Sequence, residues 1–255
     1  TFSLDLRKDD LATLPPDITH IINEAAMPGL GLSWEDFELY SSCNLLGFGR
    51  LLTAATDWPL EKFVQISTSS VYGQSAVGDE TLPTRPVSPY GVTKLAAEHL
   101  ALAHWDDSNL PITILRYFSV YGPGQRPDMA YRKFISKALA GQPIDLYGSG
   151  EQSRSNTYID DCVNATIAAL WHGENGQVYN IAGSTERSIN EALGIIEKNL
   201  NRKLEINRFP SARGDQGRTR GDTTKAKNQL GFSNLTSLEE GLSRQIEWQL
   251  SERLF

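Results

Sequence analysis

Thr68 is followed by Tyr90 and Lys94, which sets a hydroxyl, a phenol and an ammonium in that chain order. Such a set can take a proton from an alcohol while hydride leaves the same carbon. Tyr90 and Lys94 stand at i and i+4, so a helix through Tyr90-Gly-Val-Thr-Lys94 presents both on one face. An ammonium that close favours the phenolate, and the expected result is a tyrosine whose pKa falls toward neutrality. Alone, Tyr-x-x-x-Lys is a weak signal, because the spacing arises readily by chance. The surrounding elements decide its weight.

Strand-like and helical stretches alternate along the chain. Residues 17–23 read as a buried strand, 33–56 as one long helical region and 63–68 as the next strand. Ser88 is placed as an N-cap with Pro89 at the first helical position, and that helix runs to about His104. Residues 111–118 are a further strand, rich in β-branched Ile112, Thr113 and Ile114. After Tyr117 the texture changes. A turn-rich stretch at 121–128 leads to a helix over about 130–140, short strands near 144–147, 157–159 and 178–182, a capping box at Ser188–Glu191 and a last helix from about Leu238 to Glu252. Alternation of this kind predicts an α/β protein with a mostly parallel sheet. Ligands bind beyond the carboxyl ends of such strands. Thr68, Ala25–Ala26 and Phe118–Ser119 end three of them, so one crevice beside Tyr90 and Lys94 is expected.

A chain of 255 residues with a formal net charge of −7 is long enough for a sizeable core and lacks the basic balance of a nucleic-acid binder. A few arginines in a cleft can still hold an anionic ligand. Cys43 and Cys162 are far apart and form no C-x-x-C pair, which fits free thiols in a reducing, cytoplasmic setting. His20, His99, His104 and His172 have no ligand spacing, so no metal is expected. No apolar run approaches the ~18 residues of a membrane span.

With these elements in place the chain resembles the extended short-chain dehydrogenase/reductases, specifically their NAD-dependent nucleotide-sugar epimerases and dehydratases. The matching stretches are Ile66-Ser-Thr-Ser-Ser-Val-Tyr-Gly73, Ser88-Pro-Tyr-Gly-Val-Thr-Lys94, Leu115-Arg-Tyr-Phe-Ser-Val-Tyr-Gly-Pro123 and Arg126-Pro-Asp-Met-Ala130. Tyr158-Ile-Asp-Asp161, Tyr179-Asn-Ile-Ala-Gly183, Gly214-Asp215 and residues 222–226 continue the pattern in order. The resemblance implies a Rossmann-type doubly wound parallel sheet, its first βαβ unit missing, with a smaller α/β substrate-binding domain. It divides the chain into residues 1–117 plus about 158–183 for NAD and 118–157 plus 184–255 for the nucleotide sugar. A homodimer through two helices, about 34–56 and 89–104, is implied by the same analogy.

Carried over position by position, Thr68, Tyr90 and Lys94 are the catalytic set. The implied NAD contacts are Asp5 and Leu6 at the adenine, Ala25 and Ala26 along the cofactor, Asn44 in support, Ser67, and Tyr117 and Phe118 at the nicotinamide, with Tyr90 and Lys94 shared. The implied substrate contacts are Thr68, Ser69, Ser70, Ser119, Arg126, Tyr147 at the base, Arg154 and Arg213 at the diphosphate, and Asp215 at the ribose. The alternatives are that Asn44 caps or cross-links a helix, that Arg154 is a solvated surface arginine and that Tyr147 is a core aromatic.

Elimination or decarboxylation would need a carboxylate just after Thr68, where this chain has Ser69 and Ser70. That steers the reading toward 4-epimerisation of a UDP-sugar. The broader UDP-glucose/UDP-galactose class is placed first. UDP-glucuronate 4-epimerase is the alternative, because Ser69, Ser70 and Arg126 could read a 6-carboxylate. A dehydratase, decarboxylase or keto-sugar reductase of the same family stands behind both.

Several positions depart from the family pattern. Asn23-Glu24 replaces a histidine and an apolar residue, Ser155-Asn156 replaces an Asp-aromatic pair, and Arg213 sits next to Gly214 rather than one residue earlier. The glycine-rich G-x-x-G-x-x-G turn is expected ahead of Asp5, and Gly29-Leu-Gly31 and Gly47-Phe-Gly49 do not substitute for it. On this reading the 255-residue chain alone binds cofactor poorly.

Overall fold

A computed structural model describes residues 1–211 and 214–255. Its strands are β1 (His20–Asn23), β2 (Lys62–Thr68), β3 (Ser75–Gly78), β4 (Ile112–Tyr117), β5 (Val120–Tyr121), β6 (Ile144–Tyr147), β7 (Ser153–Ser155), β8 (Thr157–Tyr158), β9 (Val178–Ile181), β10 (Glu186–Ser188), β11 (Ile206–Phe209) and β12 (Arg218–Gly221). Its helices are α1 (Leu32–Glu35), α2 (Phe37–Ser41), α3 (Phe48–Ala55), α4 (Pro89–Ser108), α5 (Ala130–Leu139), α6 (Ile159–His172), α7 (Ile189–Leu200), α8 (Thr224–Leu230) and α9 (Leu238–Ser251).

The first sheet has the order β1-β2-β4-β9, and every pairing is parallel. Its central strands β2 and β4 are buried along nearly their whole length because helices cover both faces. Phe63, Ile112 and Ile114 pack with Phe48, Leu52 and Ala101 on one side, while Val64, Leu115 and Ile181 pack with Cys162, Ala165 and Ala169 on the other. The register sets Thr68 opposite Tyr117 at one end of the sheet. The α/β class and parallel sheet expected from the sequence are present.

A second sheet, β10-β7-β12-β3, reaches across the molecule. β3 follows β2 in the chain, yet it pairs in parallel with β12, more than a hundred residues later. β6 and β11 form a separate parallel pair, and β5 pairs with β8. Tyr121, Phe134, Ile135, Ile144, Leu193, Leu242 and Ile246 fill the core beneath these strands.

Two stretches differ from the sequence reading. Residues 33–56 are not one helix. Asp36 (φ −133, ψ 70) leaves the helical region and caps α2 through its side chain, which accepts from the Leu39 N–H. Ser42–Gly47 then form a π-helical turn before α3. The strand expected at 157–159 is two residues long and runs directly into α6, whose first turn holds Asp160 and Asp161 against the helix dipole. Among the described residues no helix is long and apolar enough to cross a membrane.

Candidate active site

Thr68 ends β2 in extended geometry (φ −151, ψ 151) and caps the short 3-10 turn Ser69–Tyr72, accepting from the Ser70 N–H at 3.2 Å. α4 begins immediately beside this turn. Ser88 caps it by accepting from the Gly91 N–H at 3.1 Å, and Pro89 occupies its first turn. Gly91 allows the close approach, since a Cβ there would lie 2.8 Å from the Ser70 carbonyl oxygen and 2.9 Å from Pro86. The first turn of α4 thus brings Tyr90 to the end of β2, where the Thr68 side chain acts on its phenol. Tyr40 packs edge-on against the Tyr90 ring at 6.2 Å, anchored by its own hydroxyl donating to the Pro28 carbonyl at 2.6 Å.

The expected lowering of Tyr90 by Lys94 is not what this geometry produces. Burial pushes the phenol up, and the Thr68 side chain and the Arg126 guanidinium pull it down. Lys94 turns toward the backbone of β2, its Nζ donating to the Ile66 carbonyl at 2.6 Å. Burial holds its pKa down at about 8, opposed by the carboxylates of Glu98 and Glu24.

Behind this set lies a buried polar network. Arg116 of β4 pairs with Glu98 of α4 at 2.6 Å, with side chains only 7% and 3% exposed. Glu98 also accepts from the Ser67 hydroxyl, and Arg116 donates to the Tyr72 hydroxyl, which donates to Asn180 of β9 at 2.7 Å. The network ties α4, β2, β4 and β9 together one residue from Thr68 and one helical turn from Lys94. Breaking a buried pair of this kind costs about 3–5 kcal/mol, because the surviving charge stays buried.

The implied cofactor residues divide by where they point. Ala25 and Ala26 follow β1 at the open end of the sheet, the Ala25 N–H held by Asn23 at 3.2 Å. Tyr117 lies there too, its hydroxyl 2.6 Å from the Thr166 hydroxyl and 3.4 Å from Glu24. Ser67 and Phe118 turn away. Alternation along β2 faces Ser67 toward Glu98, and Phe118 is fully buried against Val71, Tyr72 and Ala182. Asn44 adopts the cross-linking arrangement: it accepts from the Met27 N–H at 2.6 Å and donates to the Met27 carbonyl and the Thr93 hydroxyl. Asp5 is paired with Arg7 at 2.7 Å, and the Leu6 carbonyl accepts from Arg50. The cleft suits a dinucleotide at its ribose end. Among the described residues Lys94 makes one hydrogen bond, leaving two of its three donors for ribose hydroxyls.

The implied substrate residues fall into two groups. Arg126 stands near enough to Tyr90 and Tyr40 to act on both phenols, while its guanidinium forks onto Asp128 at 3.0 and 3.1 Å. Ser70 accepts from the Thr68 hydroxyl at 3.3 Å, but Ser69 is buried and faces Gln216. The other group lines a cavity of about 320 Å³ that contains Ser119, Tyr131, Tyr147, Arg154 and Asp215. Arg154 and Asp215 pair at 2.8 Å. Tyr147 is not core: it is 53% exposed and stacks on Phe209 at 5.4 Å. Ser119 holds φ +32, a strained value at the rim between the two groups. Arg213 lies outside the described residues. Tyr40, Tyr131 and the Glu98–Arg116 pair were missed from the sequence. Glu98 was within reach, since it repeats the i+4 step beyond Lys94.

A parallel sheet whose strand ends meet a threonine and a helical tyrosine–lysine pair defines a short-chain dehydrogenase/reductase type of enzyme. The profile of the NAD dependent epimerase/dehydratase family matches residues 2–182, and the chain belongs to that family. It is similar to an uncharacterized UDP-glucose epimerase, YtcB, of Bacillus subtilis, 39% identical over 94% of this chain and 77% of that protein. It is 37% identical to a UDP-glucuronate 4-epimerase of Thermodesulfobacterium geofontis, over 91% of this chain and 72% of that one. The crystal structure of UDP-glucuronic acid 4-epimerase from Bacillus cereus with UDP-glucuronic acid and NAD superposes with a TM-score of 0.94 at 40% identity, covering 99% of this chain and 81% of that one. The protein is an enzyme of the NAD-dependent type.

Proposed function

We propose that the protein is a UDP-glucuronate 4-epimerase. The observation that carries this reading is Arg126, whose guanidinium is within electrostatic reach of Tyr90 at the catalytic end of β2. A guanidinium fork suits a carboxylate, and here it already engages one in Asp128. The sequence ranking placed UDP-glucose/UDP-galactose first. The relatives favour the alternative, since two of the three described above are glucuronate enzymes.

Bound NAD supplies the hydride acceptor and donor at the sugar C4. Tyr90, steadied by Thr68, removes the proton from the 4-hydroxyl and returns it after the 4-keto sugar has turned over. Lys94 holds the cofactor ribose. Arg126 and Ser70 fix the 6-carboxylate, Arg154 the diphosphate, and Tyr147 with Phe209 the base, so binding energy remote from C4 orients the reacting carbon. Ser69 and Ser70, where an eliminating enzyme needs a carboxylate, favour epimerisation over loss of water.

The test is turnover of UDP-glucuronate and UDP-glucose by the wild type and by Arg126→Met. Preference for UDP-glucuronate is expected. Arg126→Met should lower its kcat/KM by roughly 10- to 100-fold and that of UDP-glucose by clearly less, the shared part being the lost pull of Arg126 on the Tyr90 phenol. Faster epimerisation of UDP-glucose by the wild type would sink the glucuronate reading.

A further inference from the structure

Tyr131 lines the 320 Å³ cavity and carries an O–H donor that the fold leaves unspent. It lies in the first turn of α5 and is only 4% exposed, and among the described residues its hydroxyl donates no hydrogen bond. Its ring packs edge-on against Tyr121 at 5.6 Å and tilted against Phe134 at 6.5 Å. Asn156 beside it gives one of its two amide N–H groups to the Arg154 carbonyl at 3.3 Å and faces the hydroxyl only as a donor, so the phenolic O–H itself stays unspent. A phenylalanine would keep every ring contact and avoid burying an unpaired hydroxyl. Packing therefore gives no reason for tyrosine here.

The cavity does give one. The hydroxyl lies within electrostatic reach of the Arg154 guanidinium, which Asp215 holds in place at 2.8 Å. A phenolic O–H and a guanidinium converging on one space make a donor set for an anionic oxygen. We infer that Tyr131 is a diphosphate ligand, its hydroxyl donating to a phosphate oxygen whose charge Arg154 neutralises. This rests on reading the cavity as the nucleotide-diphosphate site, and it adds a residue that binds substrate through neither the sugar nor the base.

Calorimetric titration of the wild type and Tyr131→Phe with UDP, and with uridine as the phosphate-free probe, tests it alongside the melting temperature of each free protein. Tyr131→Phe should weaken UDP binding by about tenfold and leave uridine unaffected. The free variant should melt at the same temperature or about 2 °C higher, because it no longer buries an unpaired hydroxyl. Equal UDP affinity in the two proteins, or a variant that melts lower, overturns the inference and leaves the nucleotide reading standing. Failure of the wild type to bind UDP at millimolar concentration overturns both.

Discussion

Burial drives Tyr90 and Lys94 toward their neutral forms, the phenol upward and the ammonium down to about 8. Tyr90 therefore stays protonated in the free enzyme at neutral pH, and Lys94 titrates where its charge can be followed. In the unfolded chain a lysine keeps its ordinary value near 10.4. Between about 8 and that value the unfolded state binds more protons, so the Lys94 contribution makes the fold more stable as pH rises. The charge needed to hold the ribose is lost over the same window. The kcat/KM profile should then show a basic limb near pH 8, with no accompanying loss of folded protein by circular dichroism. Glu24 helps keep the lysine charged, so Glu24→Gln should move the limb to lower pH. A limb that stays above pH 9.5 in both proteins would contradict this assignment. The identity of this set was legible from type and spacing. Its electrostatics were not, because i and i+4 place Lys94 on the face of Tyr90 without revealing that the Ile66 carbonyl takes its ammonium. Ser67 and Phe118 teach the same lesson: motif position marks the neighbourhood, and strand alternation decides which side chain enters the cleft.

Elements position this chemistry through close approaches rather than through long-range strain. α4 was legible almost to the residue, because Ser88 and Pro89 are strong start signals; only its end was misjudged, at Ser108 instead of His104. The 32–55 region was harder. Its apolar pattern continues through the break at Asp36 and the π-helical turn, so periodicity alone reads one helix. The π-helical turn carries Asn44, which clamps Met27 just beyond β1 and reaches Thr93 on α4. That clamp fixes the strand end and the helix against each other. Gly91 fixes the helix against the turn after Thr68, and it offers the sharpest test at this scale. Gly91→Ala puts a methyl 2.8 Å from the Ser70 carbonyl oxygen, a rigid backbone atom, so the start of α4 must move away. Displacing Tyr90 from Thr68 by a fraction of an ångström should lower kcat by roughly 10- to 100-fold. UDP binding in the cavity beside β7 should be unchanged, which separates the effect from unfolding. Unaltered kcat would mean that the helix start does not set the tyrosine.

Across the whole molecule, the two sheets are interlocked rather than merely adjacent. The alternation of strands and helices made the α/β class and the first sheet legible. The second sheet was not, because four strands of three or four residues carry little periodic signal and β3 finds its partner far along the chain. That pairing takes residues 75–78, between Thr68 and Tyr90, into the sheet whose β7 carries Arg154. Further ties run in parallel: Thr157 donates to the Phe118 carbonyl, Asn180 to the Asp222 carbonyl and Asn234 to the Ala182 carbonyl. With so many buried links, neither part can open without exposing the edge of the other. Ligand binding in the cavity beside β7 should therefore stabilise the protein as a unit. UDP at about 100 times its Kd contributes about 2.7 kcal/mol to the state that binds it. For a chain of this size that corresponds to a rise of roughly 5–10 °C in melting temperature. Differential scanning calorimetry should give one transition that moves intact by this amount. Two transitions, with UDP moving only one, would mean that the β3–β12 pairing does not couple the substrate cavity to the catalytic strand ends.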